Sequence, residues 1–109
     1  MERVEFKYSY YSWGNNKEEL YVIDFQSKLY LHFDKGQLDD KMLLPDDLLN
    51  QIRSLFEPIY EDFPKDVFAY DAPMWTLTID DKTCTRIAVQ DADAWYERVS
   101  AIFNAFKRN

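Results

Sequence analysis

The chain has 109 residues, with 20 acidic against 13 basic side chains and a net charge of −7. Aromatic residues make up 17%, yet there is one His (His32), one Cys (Cys84) and only two Gly (Gly14 and Gly36). That inventory excludes a structural zinc site, which needs four Cys or His ligands, an internal disulfide, and a glycine-rich phosphate cradle. The charge opposes direct binding to the anionic backbone of nucleic acid.

The length suits a single domain over residues 1–109, large enough to bury a core without metal or disulfides. A lone Cys fits a reducing compartment. No apolar run follows a basic start in residues 1–25, and no apolar stretch reaches the roughly 20 residues of a membrane helix. A soluble, cytoplasmic protein without membrane association is the expectation.

In chain order, Val4, Phe6, Tyr8 and Tyr10 alternate with Glu5, Lys7, Ser9 and Tyr11, the period of a strand. Ser12-Trp13-Gly14-Asn15-Asn16 predicts a turn. A second strand is expected from Leu20 to Phe25, and a third over Lys28–Phe33 with Leu29, Leu31 and Phe33 on one face and Tyr30 and His32 on the other. Asp34-Lys35-Gly36-Gln37 predicts another turn, with a short strand at Leu38–Leu43. Pro45-Asp46-Asp47 opens a helix, since Pro and acids suit a first turn. Its stripe is Leu48, Ile52, Leu55 and Ile59, widened by Leu49 and Phe56, and Pro58 is expected to end or kink it near Glu57.

Residues 57–73 predict a loop anchored by Tyr60, Phe63, Phe68 and Tyr70. A hairpin follows, Met74–Ile79 returning through Asp80-Asp81-Lys82-Thr83 into Cys84–Val89. Asp91–Asp93 caps a last helix with Trp95, Val99, Ile102, Phe103 and Phe106 on its apolar face, and Lys107 and Arg108 at its C-terminal end. The fold class expected is α+β: an antiparallel sheet of about five or six strands with two helices packed on one face, order ββββ-α-ββ-α. Trp75 and Trp95 are expected in the core and Trp13, beside a turn, at the surface.

Asp71-Ala-Pro-Met-Trp75-Thr-Leu77-Thr-Ile79-Asp, then Arg86-Ile-Ala-Val, then an aromatic-rich closing helix, resembles a class of small, mostly uncharacterised bacterial α+β domains. The resemblance spans residues 70–106. Typical members carry a Gly and a Pro between the last strand and helix, where this chain has Asp91 and Ala92. The resemblance implies a fold and brings no activity with it.

Little in the chain points to catalysis. Cys84 and His32 both fall in predicted strands, and a nucleophile–base pair requires those strands to be neighbours. None of Ser9, Ser12, Ser27, Ser54 or Ser100 lies in a Gly-x-Ser-x-Gly elbow. Asp34, Asp39 and Asp40 flank Gly36 without the spacing of a calcium loop. Asp24, among Val22, Ile23 and Phe25, is expected to accept hydrogen bonds from backbone or an Arg. No catalytic, cofactor-binding or metal-binding residue is assigned, and no cofactor is expected.

The run Tyr8-Ser-Tyr10-Tyr11-Ser-Trp13 is the sharpest signal, because Tyr and Trp are enriched at the centres of interfaces. The expected function is a non-enzymatic protein-binding module, in its most concrete form an immunity or inhibitor protein, whose acidity suits a basic protein partner. Tyr11 and Trp13 are its expected anchors, and Glu18 and Glu19 its steering charges. The alternatives are a small enzyme or small-molecule-binding domain using Tyr and carboxylate groups in a pocket, and a structural subunit or homodimer.

Overall fold

The computed structural model describes residues 1–12, 14–68, 72–87 and 94–105. The elements are β1 (Arg3–Ser12), β2 (Asn15–Asp24), β3 (Leu29–Asp34), β4 (Gln37–Leu43), α1 (Asp46–Glu61), β5 (Met74–Ile79), β6 (Lys82–Ile87) and α2 (Ala94–Asn104). The strands form one antiparallel sheet in the order β4-β3-β2-β1-β5-β6, so β1 joins the N-terminal meander to the C-terminal hairpin. This is the expected α+β order. No helix among the described residues is long and apolar enough to cross a membrane.

The turns follow from local stereochemistry. Lys35 and Gly36 both have positive φ, 51° and 82°, as a two-residue hairpin turn that matches strand twist requires. Gly36 takes its value without the steric cost a Cβ would add. β2 begins at Asn15 rather than Leu20, because Asn15–Glu19 continue the ladder opposite Tyr8–Ser12. Its first half is polar, so hydrophobic alternation does not mark it.

Register assigns the faces. Val4, Phe6 and Tyr8 of β1 stand opposite Ile23, Tyr21 and Glu19 of β2 and opposite Ile79, Leu77 and Trp75 of β5. Phe103 of α2 meets Phe6 and Tyr21 on this face, and Phe56 of α1 meets Phe103. Leu49, Ile52, Phe56 and Ile59 of α1 share one core with Val99, Phe103 and these strand residues. Both helices therefore cover the same face of the sheet. Among the described residues, no helix or second sheet covers the opposite face. Across it run ion pairs Arg3–Glu5, Arg3–Asp24 and Lys7–Glu18, and hydroxyl pairs Thr76–Thr85 and Thr78–Thr83.

Three expectations need correction. Of the two outcomes expected at Pro58, an end or a kink, the end is overturned: α1 runs through Pro58 to Glu61. The last turn is held from outside: Ile59 is buried, the Tyr60 hydroxyl donates to Asp81 at 2.8 Å, and Lys82 Nζ donates to the Tyr60 carbonyl at 2.9 Å. The buried stripe of α1 centres on Leu49, Ile52, Phe56 and Ile59, leaving Leu55 53% exposed. Trp75 is fully buried, but Trp95 is only half-buried, packed on the core edge with the Arg98 guanidinium 4.8 Å from its ring centroid. Trp13, Tyr70, the Asp91–Asp93 cap, Phe106, Lys107 and Arg108 lie outside the described residues.

Two predictions follow from this core. Phe103→Ala removes the ring that joins both helices to the sheet and should cost about 3–5 kcal/mol in urea unfolding. The second concerns Asp80 in the β5–β6 turn, which accepts the Glu2 and Arg3 amides at 2.8 and 3.0 Å. Partial burial pushes its carboxyl up, but these amides and the N-terminal ammonium outweigh that and hold it below its ordinary value. A carboxyl lowered in the folded state stabilises above its unfolded pKa and loses that contribution as pH falls through the folded one. Asp80→Asn should lower stability at neutral pH and narrow its gap to wild type under acid, measured as urea midpoints across pH. An unchanged gap would refute this linkage.

Candidate functional site

Among the described residues, a cleft of 220 Å³ opens where the β1–β2 hairpin meets α2. Phe6 and Phe103 form its floor, their rings stacked 5.7 Å apart and 9° from parallel. Tyr8, Tyr21 and Tyr96 supply aromatic walls, and Lys17, Glu19, Ser100 and Asn104 supply polar groups. Strand alternation places Tyr8, Glu19 and Tyr21 on the helix-covered face. Helical spacing brings Tyr96, Ser100 and Phe103 to the same side of α2.

Glu19 is the centre of the polar groups. Its carboxylate accepts the Tyr21 hydroxyl and lies 3.6 Å from Nε2 of His32. His32 stacks on Tyr21, centroids 4.5 Å apart and 11° from parallel, and its Nδ1 is 3.0 Å from Asp39 Oδ2. Its Nε2 is buried with no hydrogen bond among the described residues. The chain's only imidazole is thus braced between carboxylates of two neighbouring strands, with its inner edge against Glu19.

The shifted groups here are phenols. Burial first, and then the Glu19 charge, drives Tyr21 well above the ordinary tyrosine range. Burial, then Tyr96 and Glu19, raises Tyr8. Burial, then Asp40, Asp39 and Glu19, pushes Tyr30 up to about 12. These hydroxyls stay protonated at neutral pH, and that of Tyr21 donates to Glu19.

The four residues singled out by sequence are not all brought together. Glu19 lines the cleft, whereas Glu18 stands opposite Ser9 on the uncovered face and pairs with Lys7 at 3.3 Å. The backbone of Tyr11 pairs with Asn16, and Trp13 is outside the described residues. Tyr21, Tyr96 and His32 were not singled out for the site. The spacing of Glu19 and Tyr21 along one strand face was the available signal, but the contribution of α2 required the tertiary fold.

Other candidates resolve structurally. Cys84 is buried on β6 and His32 is on β3, with β2, β1 and β5 between them. At roughly 4.8 Å per strand they are about 19 Å apart, too far for a nucleophile–base pair. Asp24 accepts the Gln26 and Ser27 amides at 3.0 and 3.1 Å and pairs with Arg3, a structural role. Among the described residues no three His, Cys, Asp or Glu side chains are grouped to hold a metal ion. No protein-family model, curated protein or solved structure matches this chain.

The phenols set an alkaline limit. A group raised in the folded state stabilises below its unfolded pKa and loses that contribution as pH rises. Stability should therefore decline above about pH 10, the ordinary tyrosine value. Glu19→Gln keeps an acceptor for Tyr21 but removes the charge, so Tyr21 should titrate lower than in wild type while burial still holds it above an exposed tyrosine. Ultraviolet difference titration of tyrosine ionisation, with Tyr21→Phe as the assignment control, reads this directly. An unchanged Tyr21 titration would contradict the geometry.

Proposed function

We propose that the protein is a non-enzymatic binding module that docks a basic protein partner at the β1–β2 hairpin end. The observation that carries this reading is the aromatic cleft, where three tyrosines converge with Glu19 and Lys17 beside the strand ends bearing Tyr11 and Glu18. A net charge of −7 favours encounter with a basic surface and disfavours nucleic acid. The cleft is smaller than the roughly 300–1,000 Å³ typical of whole-ligand pockets, so it suits part of a partner better than a whole small molecule. In its most specific form the module is a cytoplasmic inhibitor or immunity protein that covers a basic active site, a setting that suits its single, buried thiol.

The division of labour is physical. Aromatic anchors hold a complex, and charges mainly set the association rate. Tyr11 and Trp13 are proposed as the anchors, with Glu18 and Glu19 as the charges.

The test is binding kinetics against the purified product of the neighbouring gene. Tyr11→Ala and Trp13→Ala should each weaken binding by about 30-fold, mostly through faster dissociation. Glu18→Gln with Glu19→Gln should slow association at low salt and matter less at high salt. Folded variants that bind a confirmed partner as tightly as wild type would place the interface elsewhere.

A further inference from the structure

We propose that the cleft between the β1–β2 hairpin and α2 is a socket for one cationic side chain, a lysine ammonium or an arginine guanidinium, presented by the partner. This names the ligand chemistry of the site above and rests on the protein-binding reading.

Four observations support it. The charge is in place: the Glu19 side chain lines the cleft and is only 24% exposed, so its attraction for a cation is less screened than that of a surface carboxylate. It is also held. Tyr21 donates to it, His32 lies 3.6 Å behind it, and Asp39 braces His32 from β4. A carboxylate fixed before binding loses little conformational freedom when the cation arrives.

The walls are suitable as well. Tyr8, Tyr21 and Tyr96 line the opening, and phenol rings attract cations through their negative faces. Ser100 contributes an oxygen that can accept from N–H groups. Finally, the volume of 220 Å³ suits the end of a side chain better than a whole metabolite. Lys17 also lines the cleft and competes for the same carboxylate, so an incoming cation must displace it toward solvent.

The test requires no partner protein. The full chain, labelled with nitrogen-15, is titrated by NMR with n-butylguanidinium and n-butylammonium chloride, and with sodium butyrate as the opposite-charge control. The expected result is saturable binding of the cations, on the order of millimolar for so small a fragment, with shifts at Tyr8, Glu19, Tyr21, Tyr96 and Ser100. Glu19→Gln should weaken it at least about tenfold, and Lys17→Gln should strengthen it. A circular dichroism spectrum and a melt of each variant separate lost binding from lost folding. Should Glu19→Gln prove destabilised, Tyr96→Ala at the rim provides a second test and should also weaken binding.

Cations that bind without saturating, or equally well to Glu19→Gln, overturn the socket. So does preferential binding of butyrate abolished by Lys17→Gln, which would make this an anion site. Probe binding that holds while the partner assay fails leaves the socket and removes the docking reading. Partner binding insensitive to Glu19→Gln, with no probe binding, does the reverse.

Discussion

The ring of Phe6 is the contact on which the rest of the molecule depends. It lies 5.7 Å from Trp75 of β5, 6.3 Å from Tyr21 of β2, 6.0 Å from Tyr96 and 5.7 Å from Phe103, both of α2. One side chain on the strand joining the two halves of the sheet therefore touches its neighbour on each side and the closing helix. Offset and tilted aromatic contacts add directional preference to ordinary burial. Phe6 thereby fixes the height of α2 above the sheet. The cleft exists because α2, held at that height by Phe103, leaves Tyr96 and Ser100 standing over the polar half of the hairpin.

The strands with clean alternation were legible in the sequence because their faces differ sharply. Val4, Phe6 and Tyr8, and Trp75, Leu77 and Ile79, all face the helices as their spacing predicts. Where tertiary contacts decide, the sequence was less informative. Pro58 breaks the local hydrogen-bond pattern, yet a turn fastened at both Ile59 and Tyr60 continues past it. Leu55 fits the helical period but falls outside the arc that meets the sheet. The site was half visible. Glu19 was selected as a surface charge beside Glu18, but a strand sends adjacent side chains to opposite faces, and only one of them enters the cleft.

The acidic excess is distributed unevenly. On the uncovered face, Arg3 pairs with Glu5 and Asp24 and Lys7 pairs with Glu18, so two cations offset part of the charge of three carboxylates. Such exposed pairs contribute little stability, typically below about 1 kcal/mol. They do blunt that face as a target for a charged partner. At the cleft, Glu19 has a histidine, a phenol hydroxyl and aromatic rings nearby, with Lys17 on the same lining.

The pairing of β1 with β5 has a further consequence, for the order in which the molecule assembles. The strands β1 to β4 connect through short turns and can find one another early, whereas Val4 must wait for Ile79. Contacts that distant in sequence slow folding, because the chain between them has to be ordered first. Until they form, β1 is an open edge displaying Phe6 and Tyr8, and α2 has no complete surface to settle on. The cleft is then among the last features to appear, and a chain stalled before that point exposes a sticky aromatic strand. A cleft that completes only when α2 settles ties its shape to finished folding: Tyr8 and Tyr21 stand on their strands beforehand, but Tyr96 and Ser100 come into place with the helix.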